Sequence, residues 1–294
     1  MACPTPMTNP LNSQQAQSLF APAKLNLFLH VLGRRPADGL HRLQSLFVFL
    51  TIGDTLTFTP AARNDLRMQP DFGVTREQNL AWRALALVSE RAVALPPVCV
   101  DISKRLPAEA GLGGGTANAA AVVHWAEQSA PSAQAADLRA QVGKLGADMP
   151  PALDQTARIW TGTGDQPGPA VAGLSGVPVL LLKPPTGVAT GACFEALDGQ
   201  FGPAVAWSDQ PVEDLKARLA TTRNDLETPA STLNPDIAWA LDCLSGLDGT
   251  WLVRMTGSGS TCFALFHEKG PRDAALSLVQ QSHPTWWSAA AEIL

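Results

Sequence analysis

Apolar positions along the chain follow two periodicities, which together predict strands and helices in mixed order. Alternating or continuous apolar runs predict strands over 23–32, 43–60, 98–106 and 177–185, and two more within 251–266. Apolar residues at helical spacing predict helices over 76–93, over 116–129, from 135 to near 146, over 235–244 and from about 272 onward. Since these elements show no simple βαβ alternation, the pattern predicts an α+β fold.

A loop-rich stretch near the middle of the chain marks a predicted domain boundary. The residues TGTGDQPGPAVAGLSG at 161–176 are dense in glycine and proline, which is typical of a linker. We therefore predict a first domain over 1–165 and a second over 166–294, with the last residues packing back on the first. A chain of 294 residues is long enough for two such domains.

Composition restricts the class of partner. Hydrophobic residues make up 46% of the chain and charged residues 16%, as in a globular protein with a substantial core. The formal net charge is -5, whereas binding to a nucleic-acid backbone needs a basic face. We expect no nucleic-acid partner, and any nucleotide bound here should be small.

Cysteine usage and hydropathy predict a reduced, cytoplasmic protein without a membrane anchor. The five cysteines are far apart and form no C-x-x-C pair, which favours buried thiols over metal ligands or disulfides. The first nineteen residues are polar and do not have the apolar run of a signal peptide. No stretch reaches the roughly 18 apolar residues of a membrane span.

The segment GLGGGTANAA at 111–120 is the strongest candidate for chemistry. Glycines let consecutive backbone N–H groups converge on an anion, and the helix that follows adds partial positive charge at its N-terminus. Thr116 stands where a dinucleotide fingerprint needs glycine, and no G-K-[ST] follows, so neither common phosphate-binding template fits. From the residues alone, a different phosphate cradle and a tightly packed turn are equally good interpretations.

Four segments in order carry a resemblance to a known superfamily. PAKLNLFLH at 22–30, GLGGGTANAA at 111–120, LGADMP at 145–150 and MTGSGSTCFA at 255–264 resemble the small-molecule kinases that include galactokinase, homoserine kinase, mevalonate kinase and phosphomevalonate kinase. The longer forms PAKLNLFLHVLGRRPADGLHRLQSLF and KRLPAEAGLGGGTANAA resemble one branch of it, the 4-diphosphocytidyl-2-C-methyl-D-erythritol kinases. The resemblance covers most of 20–165 and weakens toward 266.

The resemblance implies a two-domain fold with the active site in a cleft between the domains. It implies ATP as phosphoryl donor, Mg²⁺ as its companion ion, and a cytidine diphosphate polyol of non-mevalonate isoprenoid biosynthesis as acceptor. The chain is then expected to be a monomer or weak homodimer. No set of metal ligands emerges from the residues.

The resemblance also assigns roles to individual residues. Asp148 occupies the position of the catalytic base, and Lys24 would lie beside it and help to orient the acceptor. Asn26 falls on the same strand face as Lys24 by the period of two, where it would bind substrate or satisfy a neighbouring backbone group. The predicted ATP-binding residues are Gly111, Leu112, Gly113, Gly114, Gly115, Thr116 and Asn79. The predicted substrate-binding residues are Asn26, Leu40, His41, Lys104 and Phe194, with His41 reading the cytosine edge.

The chain departs from the family pattern at two positions. Thr116 and Ala117 stand where two serines are common, so one hydroxyl is lost from the phosphate cradle. Leu40 stands where a tyrosine is usual, which bears on the base pocket. A sister kinase acting on homoserine or mevalonate would not need DGLHRLQ, and a silent nucleotide-binding module would not need Asp148 or Lys24.

Overall fold

The computed structural model describes residues 16–91, 95–129, 135–197, 199, 201–207 and 214–294. The strands of this part of the chain are β1 (Gln17–Arg34), β2 (His41–Pro60), β3 (Asp65–Gln69), β4 (Val98–Ser103), β5 (Arg158–Thr161), β6 (Gln166–Ala170), β7 (Pro178–Lys183), β8 (Thr250–Met255), β9 (Cys262–Phe266) and β10 (Trp287–Glu292). The helices are α1 (Leu80–Arg91), α2 (Gly114–Ser129), α3 (Ala135–Val142), α4 (Met149–Asp154), α5 (Thr190–Glu195), α6 (Leu215–Ala220), α7 (Glu227–Leu233), α8 (Pro235–Ser245) and α9 (Lys269–Ser282).

The first sheet is built on the long hairpin of β1 and β2. Its strands run in the order β3-β4-β2-β5-β6, and β1 pairs antiparallel with β2 outside that path. The predicted turn at Asp38-Gly39 closes the hairpin: Gly39 has a φ of 73°, and the Asp38 carboxylate accepts the Leu40 N–H at 3.1 Å. The hairpin carries the segment PAKLNLFLH through the middle of the molecule.

Helices α1 and α2 cover one face of this sheet. Ala119, Ala120 and Val122 of α2 are fully buried, and their small side chains let the helix lie close to the strands. Trp125 stacks on Phe58 of β2 with ring centroids 4.9 Å apart. This packing fixes the start of α2, and therefore the glycine-rich loop before it, against β1.

The second sheet has the order β10-β7-β9-β8 and carries α8 and α9. All six residues of β7 are buried, as expected of a strand covered on both faces. The C-terminal residues also contact the first sheet, because Leu50 bridges Ile293 and the Leu294 N–H donates to the Phe49 carbonyl at 2.9 Å. The two sheets therefore share one continuous apolar cluster, which includes Leu25 and Phe263.

The two sheets and the helices that pack on them, which follow no simple βαβ alternation, confirm the predicted α+β fold. The helix predicted over 76–93 is α1, which begins only at Leu80; residues 92–94 lie outside the described residues. The first sheet includes β6 and so runs to Ala170, past the boundary predicted at 165, and the division into domains stays a prediction.

Among the described residues, no helix has both the length and the hydropathy needed to cross a bilayer.

Candidate active site

The glycine-rich loop is anchored on two sides. The Lys24 N–H of β1 donates to the Leu112 carbonyl at 2.9 Å, and the Thr261 N–H donates to the Ala110 carbonyl at 3.3 Å. Leu112 itself is buried, so its contribution to the loop is its backbone. Helix α2 begins at Gly114, two residues before the predicted start, which places Gly114 and Gly115 in its first turn. The free N–H groups of that turn form a ready site for an anion.

Two of the glycines are required by conformation and by space. Gly111 and Gly113 have φ values of 71° and 68°, which residues with a side chain rarely adopt. A Cβ on Gly113 would lie 2.7 Å from Lys24 Cγ, and one on Gly111 would lie 2.6 Å from the Gly259 carbonyl oxygen. Gly115 differs, because the nearest atom to a Cβ there is Leu80 Cδ1 at 3.9 Å. The loop is therefore a tight turn at Gly111 and Gly113, and the start of the helix that follows is uncrowded at Gly115.

Lys24 and Asp148 meet in front of this loop. Lys24 Nζ lies 3.5 Å from Asp148 Oδ2, with the two side chains 12% and 39% exposed. Asp148 precedes α4, yet its side chain accepts no capping hydrogen bond from that helix. Prolines 150 and 151 occupy the first turn of α4, where a missing N–H costs nothing. The Asp148 side chain is thus partly exposed beside Lys24, and both residues line the same cleft.

Asn26 is held by three neighbours and in turn holds Lys24. Lys24 Nζ donates to Asn26 Oδ1 at 2.5 Å, and Asn26 Nδ2 donates to Ser45 Oγ at 2.8 Å. The Asn26 backbone N–H donates to Thr256 Oγ1 at 2.9 Å. Asn26 is 1% exposed, so of its two predicted roles the geometry favours satisfying protein neighbours. Its role as a substrate contact stays a prediction.

A cleft with a volume of about 550 Å³ opens from Lys24 and Asp148, within the range of small-molecule sites. Its walls come from both halves of the chain. The first half contributes Lys24, Asn26, Arg34, Leu40, His41, Gly111, Gly113 and Asp148, and the second half contributes Thr190, Phe194, Glu195, Leu226, Gly257 and Ser258.

The far end of the cleft is aromatic. The His41 and Phe194 rings stack with centroids 4.8 Å apart and an interplanar angle of 22°, and Phe201 meets His41 edge-on at 6.1 Å. Arg34 Nε donates to His41 Nε2 at 3.1 Å, so the neutral imidazole carries its proton on Nδ1. Burial, and then the Arg34 charge, lower the pKa of His41. Leu40 beside it is 51% exposed.

Asn79 and Lys104 do not line this cleft, and neither do four predicted residues of the glycine loop: Leu112, Gly114, Gly115 and Thr116. Asn79 caps α1, where its Oδ1 accepts the N–H groups of Ala81 and Trp82 at 3.0 and 3.3 Å. Lys104 forms an ion pair with Asp54, and the two side chains are 7% and 0% exposed. Lys104 Nζ lies under the first turn of α2, because a Cβ on Gly114 would be 3.2 Å from it. Both residues lie on the glycine-loop side of the first sheet, and their ligand roles stay predictions.

Sequence reasoning missed several polar groups at the site. It used the segment MTGSGSTCFA only as part of the resemblance, although Thr256 bonds Asn26 and Ser258 Oγ lies 2.8 Å from Thr190 Oγ1. It also missed Asn224, whose amide Nδ2 donates to the Gly257 carbonyl at 2.8 Å. The hydroxyl-bearing residues around Gly257 in the sequence could have indicated Thr256 and Ser258. No pattern in the sequence indicated Asn224.

The polar groups near the loop fit a magnesium ion that is carried mainly by phosphate. The described residues contain no cluster of three or more His, Cys, Asp or Glu suited to a metal. Thr116 and Asp148, which carry a hydroxyl and a carboxylate, line one small pocket together with Lys24. Mg²⁺ usually takes one or two protein oxygens and completes its shell with water and substrate phosphates.

Comparison with known proteins identifies the class that this fold and site define. Residues 79–160 match the GHMP kinases N terminal domain and residues 211–284 match the GHMP kinases C terminal domain. The chain also superposes on a homoserine kinase from Cytophaga hutchinsonii with a TM-score of 0.64 at 12% identity, over 98% of this chain and 97% of that one, which shows a shared fold. The class is thus the GHMP kinases.

More similar relatives narrow the class to one family. The 4-diphosphocytidyl-2-C-methyl-D-erythritol kinase of Sphingopyxis alaskensis is 42% identical over 280 residues, which cover 92% of this chain and 96% of that protein. A kinase of the same name from Methylorubrum extorquens is 37% identical, over 91% of this chain and 95% of that protein. A crystal structure of 4-(cytidine 5'-diphospho)-2C-methyl-D-erythritol kinase superposes with a TM-score of 0.78 at 32% identity, covering 94% and 99% of the two chains. The chain belongs to the 4-diphosphocytidyl-2-C-methyl-D-erythritol kinases, and the resemblance read from its motifs is confirmed.

Proposed function

We propose that this chain transfers the γ-phosphoryl group of ATP to the 2-hydroxyl of 4-diphosphocytidyl-2-C-methyl-D-erythritol in the non-mevalonate route to isoprenoid precursors. Family membership supports the reaction class and the acceptor. The observation that carries the proposal is the Lys24–Asp148 pair, 3.5 Å apart, at the junction of the glycine loop and the cleft. That junction is where a phosphoryl group and an acceptor hydroxyl can meet.

In the proposed step, the acceptor oxygen attacks the γ-phosphorus, its O–P bond forms, and the bond from the γ-phosphorus to the β,γ-bridging oxygen breaks. Asp148 accepts the hydroxyl proton, and ADP leaves with the bridging oxygen. Lys24 lies between the carboxylate and the loop, where its positive charge offsets negative charge on the transferring group. Phosphoryl transfer depends mainly on positioning and charge neutralisation, and this site supplies both.

ATP is proposed to lie with its phosphates over the first turn of α2. The backbone N–H groups of Gly114, Gly115 and Thr116 and the partial positive charge of the helix would hold them. When bound, Mg²⁺ would neutralise phosphate charge, and Thr116 and Asp148 are the side chains that would hold it. Lys104 lies on this side of the loop, so the structure favours a role near ATP, or in the packing of α2, over contact with the acceptor.

The acceptor is proposed to lie with its cytosine at the aromatic end of the cleft. His41, Phe194 and Leu40 line that end, while Lys24 and Asp148 line the other. A neutral His41 with its proton on Nδ1 is a hydrogen-bond donor, which suits the acceptor atoms N3 and O2 of cytosine. The stacked His41–Phe194 pair offers apolar ring surface, and Leu40 adds contact without a π-face.

An ADP-release assay with ATP, Mg²⁺ and three acceptors in parallel tests this proposal. We expect turnover with the cytidine diphosphate polyol and none with mevalonate or homoserine. Turnover only with one of the other alcohols would reassign the chain to a sister kinase, and turnover with none would leave only a nucleotide-binding module.

We also propose that the enzyme is cytoplasmic and that it is a monomer or weak homodimer. Light scattering at assay concentration can check the oligomeric state.

A further inference from the structure

A buried asparagine outside the cleft wall is tied to the turn that supports Lys24. Asn224 is 6% exposed and lies in the segment before α7. Its Nδ2 donates to the Met255 and Gly257 carbonyls, both at 2.8 Å, while its Oδ1 accepts the Leu226 N–H at 3.0 Å. All its side-chain polar atoms are therefore bonded to protein backbone.

The same segment holds β1 and β8 as well. The Leu29 N–H donates to the Arg223 carbonyl at 3.0 Å, and the Asp225 N–H donates back to the Leu29 carbonyl at 2.8 Å. Glu227 Oε2 accepts the Met255 N–H at 2.8 Å. Met255 is thus held through its N–H by Glu227 and through its carbonyl by Asn224, at the end of β8 where the turn begins.

That turn contacts the reacting groups directly. A Cβ on Gly257 would lie 3.3 Å from both Lys24 Nζ and Asn26 Oδ1, so the glycine backbone lies against the pair. The Thr256 hydroxyl bonds Asn26, and the carbonyl oxygens of Thr256 and Gly259 would lie 2.9 and 2.6 Å from a Cβ on Gly111. Any withdrawal of the turn would loosen Lys24, Asn26 and the glycine loop together.

We infer that Asn224 is a positioning residue for phosphoryl transfer: its amide holds the 256–259 turn against Lys24 and Asn26 and so fixes where the lysine charge lies. Asn224 touches no proposed substrate. Because it acts through Lys24, its loss should lower kcat more than it weakens binding of ATP or the acceptor. This inference rests on the proposed function for its kinetic consequence, but the tether itself is a property of the fold.

The chain offers a matched control. Asn234 is 8% exposed, its Oδ1 accepts the N–H two residues ahead at 3.1 Å, and its Nδ2 donates to the Thr186 carbonyl at 3.2 Å. Asn234 thus resembles Asn224 in burial and in accepting an N–H two residues ahead, but its Nδ2 also donates to the Thr186 hydroxyl at 3.1 Å, and it caps α8 at a place that does not line the cleft. Asn224→Asp keeps the acceptor and places a carboxylate oxygen against two carbonyl oxygens, so it should lower the melting temperature. In Asn234→Asp the new oxygen faces one carbonyl and one hydroxyl at a helix N-cap, where a carboxylate is tolerated.

Measurements of kcat and of amide hydrogen exchange on the full chain separate a positioning role of Asn224 from a purely structural one. In Asn224→Asp we expect kcat to fall by about tenfold or more with each KM changed less than about threefold, and Asn234→Asp should keep the parent kcat. Hydrogen exchange at the Thr256, Gly259 and Thr261 amides should speed up in Asn224→Asp alone. Asn224→Ser, which adds no charge, serves the same comparison if the aspartate variant does not fold.

Equal kcat in the Asn224 and Asn234 variants, or unchanged exchange at the turn, would overturn the inference. If the parent does not phosphorylate the cytidine acceptor, the proposed function fails. The exchange measurement then still decides whether Asn224 holds the turn.

Discussion

At the scale of single residues, the site depends on the Asp148 carboxylate, which does not cap the helix that follows it. Asp148 precedes α4 but does not cap it, and its only ion-pair partner among the described residues is Lys24 at 3.5 Å. Since the side chain is 39% exposed, it contributes little to packing. Its role should therefore be visible in turnover and not in stability.

Asp148→Asn is expected to lower kcat by about 10² to 10⁴-fold, because the amide cannot accept the hydroxyl proton. The melting temperature should change little. Asp154→Asn is the control, since Asp154 ends the same helix, is 34% exposed and pairs with Arg158 at 3.0 Å. Steady-state kinetics and thermal unfolding of both variants check this, and near-parent turnover in Asp148→Asn would remove the residue from the mechanism.

The aromatic end of the cleft supports a second prediction at this scale. Leu40→Tyr should lower the KM for the cytidine acceptor by a few-fold, because stacking of a base on an aromatic ring contributes roughly 1 to 3 kcal/mol. His41→Ala and Phe194→Ala should raise that KM and leave the KM for ATP nearly unchanged. His41→Ala should also relax any preference for cytosine over uracil.

Phe201→Ala is the matched control for these variants. Phe201 also contacts the His41 ring, at 6.1 Å, but it does not line the cleft, so its loss should spare both KM values. If all three cleft variants leave the cytidine KM unchanged, or shift both substrates equally, the base does not lie at this end.

At the scale of elements, the start of α2 matters most. Gly113 is not a clean place to test it, since any Cβ there would meet Lys24 Cγ at 2.7 Å and disturb the catalytic pair. Gly115 is exposed, lies within helix α2, and a Cβ there would make only an ordinary contact with Leu80 Cδ1 at 3.9 Å. A side chain there would interfere with phosphate and with little else.

Gly115→Val is therefore expected to raise the KM for ATP by about tenfold or more while the melting temperature holds, because the added side chain blocks approach to the N–H groups. Gly143→Val is the control: Gly143 opens the single helical turn at 143–145 after α3, does not line the cleft, and has no atom within 4 Å of a Cβ. Unchanged ATP affinity in Gly115→Val would make the loop a structural turn and nothing more.

The elements also show what local sequence can and cannot predict. The strands at 23–32 and 43–60 were predictable because their own apolar pattern is long and buried, and they correspond to β1 and β2. The residues QPGPA of β6 and WSAAAE of β10 carry no such pattern, and only pairing with β5 and β7 makes them strands.

The site shows the same limit. The glycine loop, Lys24 and Asp148 were found because their motifs are contiguous in the chain. The Lys104–Asp54 ion pair and the Asn224 tether depend on contacts that only the folded chain makes, so no local pattern indicates them. The capping role of Asn79 is local, since its Oδ1 accepts N–H groups two and three residues ahead, and an asparagine directly before a helical apolar run indicates it. Resemblance singled out Asn79 and Lys104 by position, whereas the contacts show what each of them bonds.

At the scale of the whole molecule, the buried histidine of β1 links stability to pH. His30 is fully buried, its Nε2 accepts the Arg223 N–H at 3.2 Å, and burial lowers its pKa from 6.5 to about 4. Between these two values the unfolded chain binds a proton that the folded chain does not. The stabilising effect of the neutral ring is thus complete above pH 6.5 and is lost progressively as the pH falls toward 4.

We therefore expect the melting temperature of His30→Gln to fall less between pH 7 and pH 4.5 than that of the parent, since one titrating group has been removed. Thermal unfolding across this range measures both melting temperatures, and parallel curves for the parent and His30→Gln would show that His30 does not carry the linkage.

The central claim, that the two halves of the molecule form one cleft for phosphorylating a cytidine diphosphate polyol, is tested most directly by ³¹P NMR of the reaction. With ATP, Mg²⁺ and the cytidine substrate, we expect a new phosphomonoester resonance on the polyol, with the acceptor's diphosphate resonances retained, and a far slower appearance of that signal with Asp148→Asn. ATP consumed with the acceptor unchanged, or a phosphorylated homoserine or mevalonate in its place, would contradict the claim.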